Sequence, residues 1–139
     1  MNKLKQPWID KWGLGEPLGD KSGQGELLLV PNRANPKGIL KHLVEKSEEE
    51  DRSQARFRMV EEIKNQKKLK QAGAKVPEVF ESNENDEHDR GTELYFVMEL
   101  IPGPTLDELI TPQNKALRSL SIDESVKVCL ELTKTLRIF

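Results

Sequence analysis

Lys41 stands in the run Gly38-Ile39-Leu40-Lys41-His42-Leu43-Val44, an ammonium set among mostly apolar positions. If the run is a strand, two-residue alternation puts Ile39, Lys41 and Leu43 on one face and Leu40 and His42 on the other. A charge among apolar neighbours is costly unless an anion answers it, so Lys41 calls for an anionic partner. Lys37, just after the preceding turn, is the weaker candidate. The plain alternative is an edge lysine whose amine reaches water past its own stem.

Upstream, Gly13, Gly15, Gly19, Gly23 and Gly25, with Pro17 among them, call for turns and accessible backbone rather than helix. A glycine turn between two strands lets backbone N–H groups approach phosphate oxygens without hindrance from a Cβ, although the same residues also make an ordinary hairpin turn. Downstream, Glu61 and Glu62 lie in a basic stretch with Lys64, Lys67 and Lys68, where a glutamate usually serves as an exposed partner one helical turn away. Other reactive types read blandly. His42 and His88 have no Cys or His at metal-ligand spacing, which argues against zinc. Cys129 falls on an apolar helical stripe and is expected to be a small buried hydrophobe.

The elements that position these residues follow from periodicity. Glu26 to Val30 is a short apolar run closed by Pro31, which predicts a strand, and Asn32 to Pro36 has turn chemistry before the Lys41 run. The two runs suggest an antiparallel hairpin. Glu45 to Asp51 reads as a charged connector. From Ser53 to Gln71 there is no Gly or Pro, and Phe57, Val60, Ile63, Lys64 and Lys67 give a narrow stripe on a basic helix ended by Gly73. Lys75 to Glu81 is a strand candidate, Ser82 to Thr92 an acidic loop, and Glu93 to Leu100 the strongest strand in the chain. Ile101-Pro102-Gly103-Pro104 breaks it. Capping-box spacing at Thr105 and again at Ser121 predicts two helices, the second striped by Ile122, Val126, Cys129, Thr133 and Leu136. Trp8 and Trp12 precede the first strand and are expected to pack its edge.

The chain has 139 residues, with 22 Lys plus Arg against 24 Asp plus Glu, a formal net charge of -2. That size allows one core, and that charge gives no general attraction to phosphate backbones or anionic lipid, so no nucleic-acid partner is indicated. The single cysteine excludes an intrachain disulfide and fits a reducing compartment. No apolar run has the length of a signal peptide or a membrane span, and the reading is cytoplasmic.

Taken together, Leu18-Gly19 through Gly25-Glu26-Leu27, Ile39-Leu40-Lys41, a helix carrying Glu62, and Phe96-Val97-Met98-Glu99-Leu100-Ile101-Pro102-Gly103 followed by Thr105-Leu106 resemble the amino-terminal lobe of a bacterial-type serine/threonine protein kinase. The resemblance runs from about Trp12 onward. It implies an α+β, protein-kinase-like fold: a five-stranded antiparallel sheet with one helix, then the first helices of a larger lobe. The division it implies is an extension at 1–11, a small lobe at 12–100, and a hinge with the start of the second lobe at 101–139.

It further implies ATP binding. In the family the strand lysine, here Lys41, contacts the α- and β-phosphates and a helix glutamate, here Glu62, with Glu61 as the competing register. Anchoring the glycine pattern on Gly25 and Leu27 puts Ser22 at its middle glycine and Asp20 at its first. One extra residue instead brings Gly19 to the first position and leaves Gly23-Gln24-Gly25 as the turn. Leu18 and Leu27 would cover the adenine from above, while Met98, Glu99, Leu100 and Ile101 resemble the gatekeeper and hinge. Ile39 stands where the family usually has a small alanine, and its bulk narrows the pocket.

The implied reaction is transfer of the ATP γ-phosphate to Ser or Thr of a protein substrate. Its catalytic and Mg2+-binding motifs are expected only in a further C-terminal part, since the sequence contains no His-Arg-Asp and no Asp-Phe-Gly. As it stands the chain is expected to be catalytically inert and a fragment. The alternatives are a pseudokinase-like module that binds partners without catalysis and, more distantly, a plain α+β regulatory domain with no nucleotide site.

Overall fold

The computed structural model describes residues 4–19, 25–31, 38–44, 49–104 and 120–137. The elements among them are α1 (Ile9–Trp12), β1 (Glu16–Pro17), β2 (Glu26–Val30), β3 (Gly38–His42), α2 (Glu49–Gln71), β4 (Val79–Ser82), β5 (Tyr95–Glu99) and α3 (Ile122–Leu136), with a 3₁₀ turn at Glu84–Asp86. The five strands make one open antiparallel sheet in the order β1-β2-β3-β5-β4. The architecture is α+β.

Alternation along the strands gives the sheet two different faces. β3 is flanked on both sides: Leu28 of β2 and Val97 of β5 lie opposite Leu40, while Leu27 and Phe96 lie opposite Lys41. On the Leu40 face, Leu28, Val30, Tyr95 and Val97 are covered by Trp8 and Trp12. On the other, Leu43, Leu94 and Phe96 pack against Met59, Val60 and Ile63 of α2. Burying apolar area on both sides is what lets so polar a chain close a core.

The two tryptophans are therefore core residues rather than edge packing. Backbone bonds hold the segment before them, with Lys5 N–H donating to Gly91 O and Glu93 N–H donating to Lys5 O, each at 2.9 Å. The helix stripe also differs from expectation. Phe57 and Lys64 are exposed, and the face toward the sheet carries Arg56, Met59, Val60 and Ile63. The expected stripe was centred too far toward Phe57 because an arginine was not counted as a core residue.

Element limits move for local reasons. The ladder of β4 begins at Val79 rather than Lys75, because the preceding carbonyls are held from α2: Lys70 Nζ donates to Val76 O at 3.0 Å and Gln66 Nε2 to Pro77 O at 2.9 Å. β5 begins at Tyr95, two residues later than expected, where Asn83 Oδ1 accepts the Tyr95 N–H at 2.8 Å. α2 begins four residues earlier, at Glu49.

The capping box at Ser121 is present, with Glu124 N–H donating to Ser121 Oγ and Ser121 N–H donating to Glu124 Oε2. Cys129 on α3 is exposed, a correction to the buried position expected for it, since no described element covers that apolar stripe. The Thr105 box and the Asn32 to Pro36 turn lie outside the described residues. No described helix is long and apolar enough to cross a membrane.

Candidate functional site

Lys41 projects from β3 toward α2, where its Nζ donates to both carboxylate oxygens of Glu62, at 2.7 and 2.8 Å. The ammonium stands over the Phe96 ring, 6.0 Å from its centroid. The lysine side chain is 16% exposed and the glutamate 39%, so the pair opens to solvent on the helix side. An ammonium has three N–H donors and Glu62 uses two of them, which leaves one for a further acceptor. Glu61 does not compete for Lys41 and instead faces Lys64 at 3.6 Å on its own helix.

The end of the glycine segment passes close above. Gly25 is buried against β3, and a Cβ there would lie 2.6 Å from the His42 carbonyl oxygen and 3.8 Å from Lys41 Cε. Only glycine lets β2 begin this close to β3, so Gly25 has a packing requirement of its own. Gly19 has φ +73°, the left-handed region that side chains avoid. Ser22 and Gly23 lie outside the described residues.

Leu18 is at the margin of exposure and is tied to β2, its N–H donating to Leu27 O at 2.8 Å, and Leu27 is half-buried. Ile39 is half-buried between Leu29 and Met98 on the neighbouring strands. Met98 packs at the margin of the α2 cluster, and Gln66 Nε2 lies 3.7 Å from its sulfur. Beyond it, Glu99 N–H donates to Glu78 O at 2.8 Å while the Glu99 carboxylate takes the Glu78 N–H. Leu100 is half-buried and Ile101 exposed. Lys41, Glu62, Gly25, Leu27, Ile39 and Met98 thus gather along β2, β3, β5 and α2, and residues 99–101 leave the end of β5.

Two buried polar groups have partners distant in sequence. His42 is not isolated: on the tryptophan face its Nδ1 meets Glu93, its Nε2 lies 3.3 Å from Glu26, and the Trp8 ring stands 5.3 Å away. Arg56, 1% exposed, donates to the carbonyls of Asp86, Glu87, Asp89 and Thr92 at 2.6 to 3.0 Å. The spacing of Arg56, Val60, Ile63 and Lys67 places a cation on the apolar stripe, which was the available signal for it.

Two carboxylates nearby are held below the usual glutamate range. For Glu81, burial pushes the pKa up, but hydrogen bonds from Lys11 and Tyr95 outweigh it. For Glu84, burial is likewise overcome by Lys67 and Ser82. Tyr95 is pushed upward, first by burial and then by its 2.7 Å bond to Glu81.

No protein-family profile matches the chain, and no curated protein is significantly similar to it.

Proposed function

We propose that residues 12–100 form the ATP-binding lobe of a serine/threonine protein kinase, in which Lys41, oriented by Glu62, takes the phosphates of the nucleotide. The observation that carries this reading is the two-pronged Lys41–Glu62 pair beneath Gly25. A carboxylate that accepts two bonds fixes where the ammonium points while leaving it a donor and its charge for an anion. Leu18, Leu27, Ile39 and Met98 supply apolar surface around the same strands for a flat base. The backbone of residues 99–101 supplies polar groups at the end of β5.

Phosphoryl transfer also needs an aspartate for the substrate hydroxyl and ligands for Mg2+. Among the described residues no group of three or more His, Cys, Asp or Glu is placed together, and the motifs that hold Mg2+ in that reaction are absent from the sequence. The activity proposed for these residues is nucleotide binding, and transfer to a protein substrate belongs to a domain that contains the remaining motifs.

Thermal-shift titration with ATP tests this. ATP should raise the melting temperature in a saturable way, and Lys41→Ala should abolish most of the rise. A real shift that survives Lys41→Ala untouched would remove Lys41 from the site. A second reading, a kinase-like scaffold that binds a protein partner and no nucleotide, draws support from Ile39, whose side chain occupies space between Leu29 and Met98. Absence of any ATP shift in the unaltered chain would favour it.

A further inference from the structure

A partly exposed ion pair is a weak fastener, contributing about 0 to 1 kcal/mol at most surface sites, so Lys41 and Glu62 do not by themselves hold a 23-residue helix in place. Something else fixes α2. Its apolar contacts, Met59, Val60 and Ile63, occupy one side of the helix, and Glu62 lies on the flank of that side. Small rotations of α2 would keep the apolar packing and still carry Glu62 away from Lys41.

Polar ties bracket Glu62 along the helix. Toward the C-terminus, Gln66 and Lys67 reach Pro77 and the Ser82–Glu84 pair, with Lys67 partly in solvent. Toward the N-terminus stands Arg56, buried, its guanidinium spread over four carbonyls between Asp86 and Thr92. That loop is continuous with the lysine strand's surroundings, because it runs into Leu94, whose carbonyl accepts the Leu43 N–H at 2.9 Å just beyond β3. The guanidinium therefore joins the helix that carries Glu62 to the frame that carries Lys41.

We infer that Arg56 is a positioning residue, a latch between α2 and the 86–92 loop that keeps Glu62 on Lys41. Its consequence for nucleotide binding rests on the kinase reading above; the latch itself does not. A planar fork with five N–H donors can serve several carbonyls at once, whereas a lysine offers a single rotating ammonium. Arg56→Lys keeps the charge and stem and loses the fork.

The readout is acylation of Lys41 by acetic anhydride in the native 139-residue chain, followed by mass spectrometry, with exposed Lys64 as the internal reference. In Arg56→Lys the Lys41 rate relative to Lys64 should rise about fivefold or more, the size of change expected when a local contact of ordinary strength is lost. Val97→Ala, on the opposite face of the sheet, provides a variant of lowered melting temperature in which the latch is intact, and it should not raise the ratio.

Asp89→Ala removes the side-chain bonds to Gly91 N–H and Thr92 Oγ1 that shape the loop, and it should move Lys41 in the same direction should Arg56→Lys fail to fold. An unchanged Lys41 rate, or an equal rise in Val97→Ala, would overturn the latch. The measurement needs no nucleotide, so a chain that fails to bind ATP would count against the kinase reading alone.

Discussion

Lys41 and Glu62, 21 residues apart in sequence, meet as a near-symmetric fork with arms of 2.7 and 2.8 Å. Symmetry of this kind fixes the direction of the ammonium more than it stabilises the fold, because the carboxylate is 39% exposed and screened by water. Glu62→Gln should therefore change unfolding free energy by no more than about 1 kcal/mol. The same change should weaken ATP binding roughly tenfold, the loss of one charge-assisted orientation. Urea denaturation and calorimetric ATP titration on the same variant separate the two. A large loss of stability with unchanged affinity would make the pair structural.

Trp8 belongs to the core that covers the tyrosine face of the sheet, and its indole N–H, though buried, has no hydrogen-bond partner among the described residues. Trp8→Ala should cost about 3 to 5 kcal/mol, the range for emptying a large aromatic site. Trp8→Phe should cost clearly less, since it keeps most of the ring and removes a polar group that gains nothing in the fold. Urea unfolding of both variants checks the order, and equal costs would show that the indole N–H is satisfied in solution.

Part of this arrangement was legible in the residues. The β2 and β3 runs, the facing of Lys41 away from Leu40, and the capping box at Ser121 follow from period and local chemistry, both of which act over a few residues. Arg56, Glu93 and Trp8 were not legible as core groups, because their burial depends on partners 30 or more residues away: carbonyls of the 86–92 loop, and His42. Phe57 was misplaced for the same reason, since a period of 3.6 fits several stripes and the arginine decided which one faces the sheet. Cys129 was misjudged because an apolar stripe shows only that a face is suited to burial, and α3 shows that face uncovered.

The acid limb of stability should follow Glu81 and Glu84. Burial alone would raise their pKa values, but the Lys11 and Tyr95 bonds at Glu81, and the Lys67 and Ser82 bonds at Glu84, leave both below the ordinary 4.5. A carboxylate with a depressed folded value contributes stability that is present above its unfolded value and is lost as the pH falls through the folded one. Melting temperature should decline below about pH 4.5. The decline should be shallower in Glu81→Gln, and an identical acid limb in that variant would exclude Glu81 as a contributor.

Tyr95 produces the opposite limb. Its phenol is raised above the ordinary 10.0 by burial and by donation to Glu81, so its contribution is complete below the unfolded value and fades as the pH climbs past it. Stability should fall above about pH 10, and Tyr95→Phe should flatten that fall while costing about 1 kcal/mol at neutral pH for the lost bond. Spectrophotometric titration of the phenol provides the check: an ionisation at the ordinary value would mean that Glu81 does not accept its proton in solution.

The exposed face of α3 should govern the chain's behaviour at high concentration. Ile122, Val126, Leu130 and Leu136 are each at least half exposed, and Cys129 stands among them. Contiguous apolar surface of this kind associates, whereas a single surface substitution usually changes stability by no more than about 0.5 kcal/mol. Val126→Lys should therefore lower light scattering of a concentrated solution without shifting the melting temperature. Cys129 should react completely with a thiol reagent in the dilute native chain and more slowly as the concentration rises and the face becomes covered. A thiol that is already protected at micromolar concentration would mean that the apolar face of α3 is covered by the rest of the molecule, and the Val126→Lys variant would then lose stability instead of gaining solubility.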